Sequence, residues 1–392
     1  MPGGRRPKLL FLVTEDWYFC SHRLPVARAA RDAGFAVLVA TRVRQHGEQI
    51  RQEGFALHLI PWRRRGDGIA GSGRAIAAIA RLYRAERPDL IHHVALKPVL
   101  FGGLAAGLAF RTSAAKPAQI AAVMGLGSGF AASGRAATLR RPLLRTALRL
   151  AAAGSRVLVQ NPEDRAVLVG LGIDPARIAL IRGSGVDTLR FAPLSQPEGP
   201  QLTVALVSRM LRAKGVLVAV AAVRLLRAQG LPLELLLAGP VDPDNPDSLS
   251  EAELSALAAE PGIRWLGRVA DVRTVWARAA IALLPSTYGE GVPLSLLEAA
   301  ACARPIIATD MPGCREAVRA GETGLLVPPQ DAASLAAAIA ALARDPARRR
   351  AMGQRGRNLA EREFAEPVVT AQTLALYRAA LAERAARRAL SA

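Results

Sequence analysis

Two carboxylates, Glu290 and Glu298, stand in the run PSTYGEGVPLSLLEAAACARPIIATDMPG, residues 285–313, which is otherwise apolar and punctuated by glycine and proline. Two cations, Arg209 and Lys214, follow another apolar run in LTVALVSRMLRAKG, residues 202–215. Arginine offers a planar fork and lysine a point charge, and together they suit a diphosphate. Free amides at a helix start, with glycines nearby, also take anions. The segment after residue 284 supplies such a start. Pro293 fits the first turn of a helix, where proline is tolerated, with Glu290 just before that helix and Glu298 inside it. A nucleotide diphosphate seated there would leave the carboxylates to accept hydrogen bonds from sugar hydroxyls. A blander account fits the same letters: a helix-start acid, a solvated face and two loop cations in a basic chain.

Those side chains need strands to carry them. Short apolar runs at residues 8–13, 36–40, 56–60, 89–92, 119–123, 156–159 and 178–181 read as strands. Amphipathic helical stretches lie between them, for example 24–33, 73–84 and 162–169. A second series follows at 202–207, 233–238, 263–266, 281–284, 305–308 and 324–327, with a last helical stretch over 368–389. Strand–helix alternation predicts parallel sheets covered on both faces. The polar, Pro/Gly-rich stretch 191–200 splits the series, which predicts two doubly wound α/β domains facing a cleft. In such sheets ligands sit beyond the carboxyl ends of the strands, and Arg209, Lys214 and Glu290 all follow predicted strands.

The same rule marks residues of the first series. Ser21, His22 and Arg23 come after the first strand, near a helix start suited to anions. His92 and His93 end the strand DLIHH, followed by Lys97; of the two histidines only one can face the cleft. Gly125 and Gly127 belong to VMGLGSGF, a glycine-rich loop after another strand that serves equally as a bare turn. Gly183 and Gly185, in IRGSGVDTLRF, permit a tight turn where backbone could approach a ligand.

At 392 residues and 51% hydrophobic the chain can bury large cores, and with 4% aromatic residues those cores are built from Ala, Leu and Val. There is no apolar run long enough to span a bilayer. The apolar start at residues 8–14 ends at acids without a small-residue cleavage site, and reads as a buried strand rather than a signal peptide. Three cysteines, Cys20, Cys302 and Cys314, show no metal-ligand spacing and point to a reduced, cytosolic protein. The formal charge is +20, and four of the 52 basic residues are lysine. This balance favours phosphates, an anionic membrane surface or nucleic acid. Few aromatics for base stacking and no recognisable module argue against nucleic acid. Segment 134–154 is rich in arginine and lacks acids; after Pro142, Arg141, Arg145 and Arg149 share one stripe and Leu144, Leu148 and Ala151/Ala152 another. It fits an interfacial basic helix or a core-packed one, and PWRRRG (61–66) adds Trp62 and three arginines.

Arg209 and Lys214, the Glu290/Glu298 pair with EGVPLSLLEAAA, the GSGVD turn and GLLVPPQD at 324–331 together resemble the retaining GT-B glycosyltransferases of family 4, over nearly the whole chain. The resemblance implies a GT-B fold. An acceptor-binding Rossmann-like domain would span residues 1–190, a nucleotide-sugar-binding one 200–365, and a C-terminal helix, 366–392, would cross back onto the first. It implies that Arg209 and Lys214 bind the diphosphate, Glu290 holds the hydroxyls of the transferred sugar, Glu298 binds the ribose, and the backbone of Gly291, Val292, Pro293 and Leu294 meets phosphate and sugar, with Ser208 and Gly185 lining the donor. Arg209, Lys214 and Glu290 are the catalytic candidates. No metal or other cofactor is implied; the nucleotide sugar is a substrate. Three departures stand out: the first strand leads into TEDWYFCSHR rather than a glycine-pair loop, Ser184 replaces the commoner Asn, and Ala303 replaces the commoner Gly.

EDWYF-x-SHRLPVA, H-x-x-ALKP and GLGSGF further resemble a subgroup acting on undecaprenyl-diphosphate-linked sugars, including N-acetylgalactosaminyltransferases. Ser21, His22, Arg23, His92, His93, Lys97, Gly125 and Gly127 become acceptor-side candidates. The expected reaction moves a hexose or N-acetylhexosamine from a UDP-sugar to a lipid-diphosphate-linked saccharide in bacterial surface glycan assembly, on the inner face of the cell membrane. A sugar-nucleotide 2-epimerase of the same fold and a basic nucleic-acid-binding protein remain the alternatives.

Overall fold

The computed structural model describes residues 5–62, 68–110, 116–125, 145–197, 199, 201–289 and 291–390. It divides into two units, Met1–Arg182 with Val369–Ala392, and Gly183–Val368.

The first unit runs β1 (Lys8–Glu15), α1 (Asp16–His22), α2 (Leu24–Asp32), β2 (Ala36–Arg42), α3 (Gly47–Gln52), β3 (Ala56–Leu59), α4 (Gly68–Glu86), β4 (Leu90–Val94), α5 (Leu96–Ala109), β5 (Ala118–Val123), α6 (145–152), β6 (Arg156–Val159), α7 (Pro162–Gly170) and β7 (Ile178–Leu180). Its strands form one sheet in the order β3-β2-β1-β4-β5-β6-β7, with every neighbouring pair parallel. Central strands are apolar along their length because helices cover both faces; Leu9 to Val13 of β1 are at most 1% exposed. The order reverses between β1 and β4, so the carboxyl ends of these two strands bracket the ligand position of this sheet type.

In the second unit the order is β8 (Leu202–Val207), α8 (Val216–Ala228), β9 (Leu233–Ala238), α9 (Glu251–Ala258), β10 (Ile263–Trp265), α10 (Arg273–Arg278), β11 (Ile281–Leu284), α11 (Leu294–Ala301), β12 (Ile306–Thr309), α12 (Cys314–Ala317), β13 (Gly324–Val327), α13 (Ala332–Arg344) and α14 (Pro346–Leu359). The parallel sheet is ordered β10-β9-β8-β11-β12-β13. Here the reversal falls between β8 and β11. The turn at 183–191 is tied to this unit: Val186 N donates to Phe364 O, and the Arg357 guanidinium donates to the carbonyls of Thr188 and Phe191.

α15 (Glu366–Ala389) is the last helix. Val369, Thr373, Leu376, Tyr377 and Ala380 are buried at helical spacing, and the four of them other than Thr373 pack in the core that includes Leu9, Phe11 and Leu90. Arg384 pairs with Asp89 at 2.9 Å and Glu383 with Arg156 at 2.5 Å. Among the described residues no helix is long and apolar enough to cross a membrane.

Several local readings are refined. TEDWYFCSHR is helical from Asp16: residues 16–22 are α1, so Ser21 and His22, expected near a helix start, close a helix and Arg23 alone precedes the next. The cause is non-local, because the Asp16 carboxylate accepts N–H bonds from Arg44, Gln45 and His46, 2.7–2.9 Å away, and so fixes the chain at β1's end. β4 continues to Val94, which places both histidines inside the sheet. α6 turns Leu148, Ala151 and Ala152 into the core, leaving Arg145 and Arg149 exposed, so its apolar stripe serves packing. Trp62 is 2% exposed, and its indole N–H donates to Thr14 O at 3.1 Å. Leu144 and Arg141, and the arginines at 63–65, lie outside the described residues.

Candidate active site

In the second unit the reversal between β8 and β11 brings together the two loops that carried the chemistry in the sequence. β8 ends at Val207. Ser208, half-buried, donates its hydroxyl to Arg209 O at 2.9 Å, and the Arg209 guanidinium is paired with Asp242, beyond the end of β9. Gly239 lets these ends approach: a Cβ there would stand 1.7 Å from Ser208 O. Residues 212–214 form a short 3-10 turn, held by Asp247, whose carboxylate accepts from Ala213 N at 2.9 Å. Lys214 ends that turn. Gly215 follows in the left-handed region (φ 76°), and a Cβ on it would lie 1.9 Å from Pro285 O. Only glycine allows this contact, which seats Lys214's turn against the loop after β11. Thr287 N donates to Ala213 O at 2.9 Å across the same junction.

The loop after β11 is tied on its other side by Thr309, whose hydroxyl donates to Ser286 O at 2.6 Å. It leads through half-buried Gly291 and buried Val292 and Pro293 to Leu294, the first residue of α11. Pro293 caps the helix rather than occupying its first turn. Glu290 lies outside the described residues. Glu298 is half-buried in α11, and its carboxyl is pushed up to about 8 by desolvation, against a lowering contribution from the Arg190 guanidinium. No hydrogen-bond partner of that carboxyl is found among the described residues. At neutral pH it is therefore largely protonated and holds unused hydrogen-bonding capacity.

Gly185 (φ 87°) has its side-chain direction filled: a Cβ would meet Glu366 Cα at 3.0 Å. The glycine serves close backbone packing beside the paired Val186–Ala365 bridge. Ala303 adopts φ 57°, a left-handed position at the end of α11, which explains why glycine suits that place better. Sequence reasoning missed Asp242, Asp247 and Arg190. Asp242 follows the carboxyl end of a predicted strand, the same signal that picked out Arg209.

In the first unit the acceptor-side candidates divide. His92 and His93 alternate across β4 and face opposite sides of the sheet. His92 Nδ1 lies 2.5 Å from the Tyr377 hydroxyl and His93 Nε2 2.9 Å from the Tyr83 hydroxyl. Both rings are 0% exposed. Burial drives the His92 pKa well below its usual range and that of His93 to about 3, so both are neutral. Their placement at a strand end is thus corrected: they are core residues, each meeting a tyrosine through one ring nitrogen while the other has no partner, and His93 lies flush against Gly102 of α5, where a Cβ would come within 2.4 Å. Lys97, at the start of α5, places its ammonium 5.1 Å from the Phe101 ring centroid and 5.7 Å from that of Trp62, within cation–π range. Ser21 Oγ lies 2.6 Å from His22 Nδ1, and the His22 ring stacks on Tyr18 at 4.1 Å. Arg23 is 1% exposed. Gly125 closes the described part of its loop (φ 100°); Gly127 lies outside the described residues. Among the described residues no group of three or more His, Cys, Asp or Glu could hold a metal ion.

Residues 8–161 match the family described as Glycosyl transferase 4-like, and residues 201–345 that described as Glycosyl transferases group 1. The putative colanic acid biosynthesis glycosyltransferase WcaL of Salmonella typhimurium is 35% identical over 185 residues, 45% of each chain. The alpha-maltose-1-phosphate synthase of Mycolicibacterium smegmatis is 33% identical over 229 residues, 53% of this chain and 58% of that one. The chain thus spans about half the length of these curated relatives. The N,N'-diacetylbacillosaminyl-diphospho-undecaprenol alpha-1,3-N-acetylgalactosaminyltransferase of Campylobacter jejuni is 26% identical over 82% of this chain and 86% of its own. Among solved structures, Anabaena HepE in complex with UDP and glucose superposes with a TM-score of 0.75 at 19% identity, covering 95% of this chain and 100% of HepE. Sucrose-phosphate synthase of Thermosynechococcus elongatus gives 0.79 at 21% identity, covering 96% and 100%. The chain therefore has the GT-B fold, and it is similar to the Glycosyl transferase 4-like family over residues 8–161 and to the Glycosyl transferases group 1 family over residues 201–345.

Proposed function

We propose that the protein transfers a hexose or N-acetylhexosamine from a UDP-sugar to a hydroxyl of a lipid-diphosphate-linked saccharide, with retention at the anomeric carbon and without a metal. The observation that carries this reading is the junction of the loops after β8 and β11. Arg209, held by Asp242, and Lys214, fixed by Gly215 against Pro285, share that edge with the approach to α11. Cations and helix-start amides fixed before the reaction stabilise the charge that develops on a departing diphosphate without reorganising. The leaving phosphate would itself take the acceptor's proton, so no dedicated base is needed. Glu298 would accept from ribose hydroxyls, Glu290 from those of the transferred sugar, and Ser208 and residues 291–294 would line the donor.

UDP as the donor nucleotide is supported by HepE, of the same fold and solved with UDP; a lipid-linked acceptor is supported by the Campylobacter relative. For contact with an anionic membrane, the support is a groove of about 510 Å³ on the first unit, lined by Leu104, Leu108 and Leu150, all more than half exposed, together with Lys116. Sedimentation with vesicles containing or lacking anionic lipid checks this contact. The reaction itself is tested by UDP release against a panel of lipid-diphosphate-linked saccharides, with Lys214→Ala alongside. The variant should lose about 10²-fold or more in turnover, as for loss of one charge-stabilising donor. Near-wild-type turnover would refute the role of Lys214.

A further inference from the structure

Arg23 caps α2 in the first unit and is 1% exposed. A guanidinium stays charged at any working pH, and withdrawing it from water is unfavourable unless an anion compensates. No carboxylate among the described residues does so. Its Nη2 meets the Met124 thioether, a weak acceptor, and its Nε has no hydrogen-bond partner. The acids at the end of β1 are committed elsewhere. Asp16 accepts the backbone N–H groups of Trp17, Arg44, Gln45 and His46, while Glu15 pairs with Arg42 and Arg44.

His92 and Tyr377 lie close enough to feel the Arg23 charge: burial first and then Arg23 lower the His92 pKa, while at Tyr377 burial raises the pKa and Arg23 opposes that rise. His92 Nε2 is a second buried atom without a partner. When the Tyr377 hydroxyl donates to Nδ1, the ring proton resides on Nε2, which then offers a neutral donor beside the guanidinium. Met124 is the residue after β5, so the Arg23 guanidinium lies at the carboxyl edge of the sheet, where parallel α/β sheets receive ligands. The unbranched Met124 side chain is adaptable and yields readily to a stronger acceptor.

We infer that Arg23 is the counter-ion for a phosphoryl or diphosphoryl oxyanion of a substrate, displacing the Met124 thioether from Nη2. This rests on the proposed glycosyl transfer, which supplies two such groups: the nucleotide diphosphate and the diphosphate of a lipid-linked acceptor.

The test is calorimetric titration of wild type, Arg23→Met and Arg23→Lys with UDP and, separately, with geranyl diphosphate. Arg23→Met should weaken one of the two about tenfold or more, as expected for a hydrogen bond to a charged group, with Arg23→Lys retaining more affinity than Arg23→Met. Weaker UDP binding assigns the donor, and weaker geranyl diphosphate binding the acceptor. The ligand-free Arg23→Met protein should melt no lower than wild type, because an uncompensated buried charge has gone. Unchanged affinity for both ligands overturns the assignment, whatever the melting temperature. If Arg23→Met does not fold, tungstate soaked into wild-type crystals decides: anomalous density beside Arg23 supports the site and its absence overturns it. Wild type that binds geranyl diphosphate in an Arg23-dependent way but not UDP would sink the proposed donor alone.

Discussion

Replacing Glu298 by Gln should make the ligand-free protein more stable at alkaline pH and leave it unchanged in acid. Burial lifts the Glu298 carboxyl from 4.5 to about 8. The folded chain therefore holds this proton more tightly than the unfolded chain. The carboxyl weighs nothing against folding below about pH 4.5, and stability falls as pH rises through the window up to about 8. At about 1.36 kcal/mol per pH unit, the full difference approaches about 5 kcal/mol. Because the side chain is only half-buried, water contact reduces the expected effect to roughly 2–4 kcal/mol. Glutamine keeps the shape and cannot ionise. Denaturant unfolding of both proteins at about pH 5, 7 and 9 should show a difference near zero at the lowest pH, growing to that size at the highest. A difference that stays constant with pH, or a Gln variant less stable than wild type at alkaline pH, would refute the reasoning. The same proton predicts that UDP binding near neutral pH releases protons, since ribose hydroxyls favour the ionised carboxylate.

Two further predictions concern backbone positions. Gly215→Ala should lower stability by about 2–4 kcal/mol and abolish UDP binding, because the new Cβ falls 1.9 Å from Pro285 O at a φ of 76°; chemical denaturation and calorimetry check both. Ala303→Gly should raise stability by about 0.5–1 kcal/mol, since alanine at φ 57° is strained and the gain is partly offset by glycine's freedom in the unfolded chain. A melting temperature at or below wild type would contradict it.

Much of the architecture was legible because buried parallel strands are written as short, continuous apolar runs. LLFLV in β1 and LTVALV in β8 need no tertiary context to be read. The ends of those strands also located Arg209 and Lys214, because the carboxyl-end rule is a property of the sheet type. What the sequence hid depends on contacts distant in the chain. α1 follows β1 directly because Asp16 binds three amides nearly thirty residues away. His92 and His93 are polar letters in a strand core, and the tyrosines that each engage one of their ring nitrogens come from α4 and α15. Asp242 reaches Arg209 from the neighbouring strand's end, a pairing that single-strand patterns do not carry. Ala303 was noticed as a departure, and its left-handed backbone supplies the reason.

The central claim is that a diphosphate is held where the loops after β8 and β11 meet. A crystal structure with UDP bound tests it most directly. The account predicts the pyrophosphate within hydrogen-bond distance of Lys214 Nζ, the Arg209 guanidinium and the amides of residues 291–294, with the ribose at Glu298. UDP bound elsewhere, or phosphates seated away from Lys214 and Arg209, would contradict it.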